Sequence, residues 1–138
     1  MDNSRRSFLK KAGLGAAAFT ILPRNVFGKM GGDNKFVAPS DQLTKGLIGC
    51  GGIGRSSNHF TSDERCRLVA LCDVDTSHLA KAQGMAKEKF GETLQEYHDF
   101  RDLIHDPNVD IVHIATPPHW HGLMSVEAAN AGKDIFCE

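Results

Sequence analysis

Gly49-Cys50-Gly51-Gly52-Ile53-Gly54 is a Gly-x-Gly-x-x-Gly run whose neighbours give it meaning. The apolar Gly46-Leu47-Ile48 precedes it, and residues 53–61 are predicted to form a helix. A second apolar run, Leu68-Val69-Ala70-Leu71-Cys72, ends on Asp73, nineteen residues after Gly54. Strand, glycine turn, helix, strand and terminal acid is the arrangement that binds a dinucleotide. In it Gly49 permits the tight turn and Gly51 lets the backbone approach a pyrophosphate. Gly54 lets helix and strand pack closely, and Gly52 and Ile53 complete the turn. The pyrophosphate is expected at the helix N-terminus, where unpaired N–H groups and the dipole favour negative charge.

Asp73 is the residue expected to choose the cofactor. A carboxylate at the end of the second strand accepts the adenosine ribose hydroxyls and repels a 2′-phosphate, which favours NAD over NADP. A turn or helix-capping aspartate, aided by Asp75, is the structural alternative. S-adenosylmethionine methyltransferases also combine a glycine turn with a second-strand acid. Gly54 and the segment at 116–122 count against that class.

The body of the chain alternates strand and helix. Strands are predicted near 45–49, 67–73, 93–98, 109–115 and 134–138, with nearly continuous apolar runs such as Ile111-Val112-His113-Ile114-Ala115. Such runs suit strands covered by helices on both faces. Helices are predicted near 53–61, 76–90, 100–105 and 119–131. In the second, Leu79, Ala82, Ala86 and Phe90 recur at helical spacing, with Asp75 or Thr76 as cap and Gly91 as stop. Asp99 caps the third. Right-handed crossovers then give a doubly wound parallel α/β sheet, a Rossmann domain over 45–138, incomplete at its C-terminal end.

The N-terminus reads as an address. Ser4-Arg5-Arg6-Ser7-Phe8-Leu9-Lys10 resembles a twin-arginine export signal, and the apolar stretch Ala12 to Leu22, ended by Pro23, is too short to span a bilayer. A basic amphipathic helix is the alternative. The expectation is a signal peptide over 1–28 and a linker over 29–44, hence recognition by the export machinery, a periplasmic or extracytoplasmic destination and no stable membrane anchor. Residues 1–28 carry five Lys/Arg and one acid. Of the chain's 16 basic and 17 acidic residues, 11 and 16 remain, a net charge near −5 that gives no support for nucleic-acid binding. The four cysteines fit neither a zinc pattern nor a disulfide framework, and Cys50, Cys72 and Cys137 are expected to be buried.

Thr116-Pro117-Pro118-His119-Trp120-His121-Gly122 follows the fourth strand, so it faces any ligand lying beyond the carboxyl ends of the strands. His119-x-His121 could instead be a pair of metal ligands, but no further ligands support it nearby. His113 reads as a satisfied core histidine.

Together with Ala128-Ala129-Asn130-Ala131-Gly132-Lys133 and the terminal Phe136-Cys137-Glu138, this segment closely resembles the glucose-fructose oxidoreductase/inositol dehydrogenase family. The resemblance covers Lys45 to Glu138. It implies that Gly49, Gly51, Gly52, Ile53 and Gly54 hold the pyrophosphate of NAD and Asp73 the adenosine ribose. Thr116, Pro117 and His121 would line the nicotinamide side, with His119 and Trp120 also at the cofactor. Glu138 matches the first residue of the family's Glu-Lys-Pro motif, which approaches the nicotinamide ribose. Pro118 departs from the family's frequent Asn.

The resemblance further implies an exported oxidoreductase acting on CH–OH groups of sugars or polyols by hydride transfer. The family's catalytic lysine would come directly after Glu138, and its substrate domain later still. The expectation is therefore a cofactor-binding portion that does not turn over alone, with any homo-oligomer depending on the absent domain. Two alternatives stay open: an NAD-dependent glycoside hydrolase, which oxidises the sugar transiently, and a non-catalytic nucleotide-binding module.

Overall fold

A computed structural model describes residues 41–63 and 65–138. The expected signal peptide and nearly all of the expected linker lie outside these residues. Five strands form one parallel sheet: β1 (Leu43–Ile48), β2 (Cys66–Cys72), β3 (Gln95–Tyr97), β4 (Ile111–Ile114) and β5 (Asp134–Cys137). Three helices join them: α1 (Thr76–Phe90), α2 (Phe100–Ile104) and α3 (Pro118–Asn130). The sheet order is β3-β2-β1-β4-β5. The chain therefore runs outward from β1 to β2 and β3, then crosses back to β4, and a topological switch point lies between β1 and β4. This is the doubly wound parallel sheet that the sequence predicts.

Each face of the sheet carries its own core. On one, Ile48, Ala70, Val112 and Ile114 pack against Leu103 and Ile104 of α2 and Met124 and Ala128 of α3. On the other, Leu47, Leu68 and Leu71 pack against Leu79, Ala82 and Ala86 of α1. Those three α1 residues recur at helical spacing, so one apolar stripe meets the sheet. Asp75 caps α1 by accepting the Ser77 N–H, and Gly91 ends it with φ of 73°. Asp99 caps α2 by accepting the Arg101 N–H.

Three expectations need correction. Residues 53–61 form no α-helix but a chain of turns, held by Arg55 N–H to Gly51 O at 3.1 Å, Ser56 N–H to Ile53 O at 2.9 Å and Phe60 N–H to Ser56 O at 2.9 Å. Ser56-Ser57-Asn58 lowers helix propensity, and only Phe60 of this stretch supplies a fully buried large side chain, stacked on Phe90. The linker ends earlier than expected, since β1 starts at Leu43. Finally, β5 is exposed throughout, so Cys137 is a surface thiol rather than a buried one.

Candidate functional site

A cleft of about 850 Å³ opens at the carboxyl ends of β1, β2 and β4. Its floor is the glycine turn. Gly49 leaves β1 with φ of 94°, and its N–H donates to Cys72 O at 2.8 Å. A Cβ on Gly49 would stand 2.7 Å from the Ala115 carbonyl, and one on Gly54 would collide with the Gly49 carbonyl oxygen. At Gly51 and Gly52 a Cβ would meet nothing within 4 Å, yet both residues line the cleft. Side chains there would fill the space that the bare backbone leaves open, so the turn is shaped for close approach of a ligand.

Asp73 ties the floor to β2. Its Oδ2 accepts the Cys50 N–H at 2.8 Å and its Oδ1 accepts the Asp75 N–H at 2.9 Å. His78 Nδ1 lies 3.4 Å from Oδ2. The carboxylate is only 11 % exposed, so these charge-assisted bonds are shielded from water. Burial, reinforced by the Asp73 charge, pushes the neighbouring Cys50 thiol up to about 12. It stays a neutral, inert side chain.

The opposite wall comes from the β4–α3 junction. Thr116, Pro117, Pro118 and Trp120 line it, and Trp120 reaches across to Phe100 at the start of α2, with ring centroids 6.4 Å apart. Arg101 lies over the other ring of this pair, its guanidinium 4.4 Å from the Phe100 centroid, and also contacts Asp99 at 3.3 Å. Val74, 88 % exposed, stands at the same end.

Of the residues singled out from sequence, Gly49, Gly51, Gly52, Ile53, Asp73, Thr116, Pro117 and Trp120 line the cleft together. Gly54 packs beneath it. His119 and His121 are not in its wall: His121 Nε2 pairs with Thr116 O at 2.7 Å and so braces the junction, while the His119 ring sits 6.0 Å from Trp120. Glu138 is engaged elsewhere, by His59 and His113. Val74, His98, Asp99, Phe100 and Arg101 were missed. They follow the ends of β2 and β3, and that position was the signal available.

With no helix after the glycine turn, the expected anion site at a helix N-terminus is replaced by the turn itself. Among the described residues, the N–H groups of Gly51, Gly52 and Ile53 donate to no acceptor. Successive free amides in a turn make an anion-binding concavity without a helix.

The chain belongs to the GFO/IDH/MocA family: residues 43–138 match the family model described as "Oxidoreductase family, NAD-binding Rossmann fold". It is 38% identical over 151 residues to glycosyl hydrolase family 109 protein 2 of Shewanella sp. (strain ANA-3), covering 97% of this chain and 33% of the relative. It is 34% identical over 101 residues to inositol 2-dehydrogenase of Salmonella typhimurium, covering 70% of this chain and 28% of that enzyme. Among solved structures it resembles scyllo-inositol dehydrogenase from Lactobacillus casei with bound NAD(H) and scyllo-inositol. There the TM-score is 0.58 at 28% identity, covering 70% of this chain and 27% of that one. The chain thus spans about a third or less of the length of these relatives.

Proposed function

We propose that the cleft binds NAD and that the chain is the cofactor-binding part of an exported oxidoreductase that acts on CH–OH groups of sugars or polyols. The observation that carries this reading is the bare glycine floor joined to the buried Asp73 carboxylate. Gly49 to Gly54 hold the pyrophosphate on the free turn amides, and Arg55, whose buried Nη1 has no hydrogen-bond partner, adds positive charge beside them. Asp73 takes the adenosine ribose. Trp120, Phe100 and Arg101 then flank the adenine, which places Trp120 at the adenosine end rather than beside the nicotinamide. Thr116 and Pro117 border the middle of the cofactor, with His121 holding the Thr116 carbonyl and His119 supporting Trp120 from outside. Bound NAD supplies a hydride acceptor for the carbon that bears the substrate hydroxyl.

Asp73, Asp75 and Asp99 all line the adenosine end, and Arg101 is already engaged by Asp99, so a 2′-phosphate meets net negative charge there. This supports NAD over NADP. Export rests on the Ser4 to Lys10 pattern, and among the described residues no helix is long and apolar enough to cross a membrane. Polyol oxidation is supported by the inositol dehydrogenase likeness. A second reading, redox-assisted glycoside hydrolysis with NAD recycled in place, is favoured by the higher identity and longer coverage of the Shewanella relative.

Isothermal titration with NAD and NADP tests the binding reading; tighter binding of NADP would overturn the role given to Asp73. The complete protein incubated with polyols and with aryl glycosides separates the two reactions. Oxidation accumulates NADH, whereas the hydrolase releases aglycone without it.

A further inference from the structure

Glu138 leaves the carboxyl end of β5 beside the β4–α3 junction, its N–H donating to Ile114 O at 3.1 Å. One oxygen, Oε1, receives two imidazole nitrogens: His59 Nδ1 at 2.9 Å and His113 Nε2 at 3.1 Å. His59 comes from the turns after the glycine loop and His113 from β4. Their rings meet edge to face with centroids 5.3 Å apart, and Phe136 closes the group at 4.8 Å from the His113 ring. Buried Lys45 fixes His59 from behind, donating from Nζ to His59 O at 3.1 Å and to Thr61 Oγ1 at 3.2 Å. The sheet face between β1 and β5 therefore carries a polar chain, Lys45–His59–Glu138–His113, where an apolar helix stripe is the usual cover.

Two features say what this chain does. Both imidazoles aim at a single carboxylate oxygen at hydrogen-bond distance, so each donates an N–H and Glu138 remains an anion. The second oxygen, Oε2, is left for a ligand. Buried groups held this firmly are positioned for a contact rather than merely accommodated.

We propose that His59 and His113 are positioning residues: they grip Glu138 by Oε1 so that Oε2 meets the nicotinamide-ribose hydroxyls of the dinucleotide. This rests on reading the cleft as a dinucleotide site. The same three groups are close enough to hold a cation, their ligand atoms lying within 4.8 Å of one another. The positive charge of Lys45 acting on His113 counts against a cation and for the hydrogen-bonded grip.

The test compares affinity for NAD with affinity for ADP, which lacks the nicotinamide ribose, by titration calorimetry on the full chain in EDTA. An Asn amide stands where Nδ1 stood and a Gln amide where Nε2 stood, so H59N and H113Q keep the donors while H59Q and H113N misplace them. E138Q removes the charge. The misplaced-donor variants and E138Q are expected to lose about tenfold in NAD affinity, with ADP affinity unchanged; the matched variants stay within about threefold of wild type. Equal losses for NAD and ADP would mark a structural role and overturn the proposal. So would H59Q and H113N binding NAD as wild type does while E138Q does not. Stoichiometric zinc in wild type prepared without EDTA, lost in H113N, would overturn it in favour of a metal site. A wild-type chain that binds NAD with no gain over ADP overturns the proposal alone; one that binds neither nucleotide overturns the dinucleotide reading as well.

Discussion

The carboxylate of Asp73 holds the backbone N–H of Cys50 at 2.8 Å, so the acid at the end of β2 and the glycine turn after β1 form one hydrogen-bonded unit. Removing the carboxylate therefore has two effects. D73A leaves the Cys50 and Asp75 amides unpaired and should lower unfolding free energy by about 2 kcal/mol in urea titration. It should also reduce NAD affinity by about tenfold or more while leaving NADP affinity nearly constant, narrowing the preference between them.

The glycines separate packing from ligand approach. G54A drives a methyl group into the Gly49 carbonyl oxygen and should destabilise the chain by about 3 kcal/mol or more, seen as a lower urea midpoint. G51A meets open space, so its urea midpoint should stay within about 0.5 kcal/mol of wild type. Its NAD affinity should nonetheless fall sharply. A G51A chain that binds NAD normally would remove the glycine floor from the site.

Trp120 is the chain's one tryptophan, it lines the cleft and it is 41 % exposed. Its emission should be quenched on titration with NAD, and with NADH part of it should reappear as energy transfer to the reduced nicotinamide. In W120F both signals vanish while binding persists by calorimetry.

The cysteines should react in an order set by burial. Cys137 is exposed, whereas burial pushes Cys50 and Cys72 up to about 12. At pH 8 a thiol reagent should label Cys137 first, with Cys50 and Cys72 labelling only after denaturant is added. Peptide mapping after timed quenching checks the order.

Burial lowers the His113 pKa below its ordinary 6.5, against the opposing pull of Glu138. Between the lowered folded value and 6.5 the unfolded chain binds a proton that the folded chain refuses. Stability is therefore complete above 6.5 and declines as pH falls through that window. Urea midpoints from pH 7.5 to pH 5 should fall more steeply for wild type than for H113Q.

The architecture was legible because apolar runs, caps and stops agreed. The Leu79, Ala82 and Ala86 spacing, Asp75 and Gly91 all pointed to the helix that is present. The stretch 53–61 was misread because the pattern of a glycine turn was allowed to outweigh Ser56, Ser57 and Asn58, which are poor helix formers. Its true anchors, Phe60 on Phe90 and His59 on Glu138, depend on residues 30 and 79 positions away, beyond any local window. Asp73 and Thr116 were readable because strand ends fix where side chains emerge. Phe100 and Arg101 were not, since their arrival at the cleft depends on how far α2 leans across the sheet edge.

Gly49 touches Ala115 backbone to backbone, with no side chain between them to act as a spacer. The bank of the cleft formed by the glycine turn and the start of the β4–α3 loop therefore moves as a single body, and its width has no adjustable part. The far bank is built from Val74, Arg101 and Trp120, whose side chains can each be exchanged without disturbing a strand. Divergence in what this scaffold accepts at its adenosine end is thus channelled to that side, where mutation is cheap, while the glycine side stays frozen by geometry.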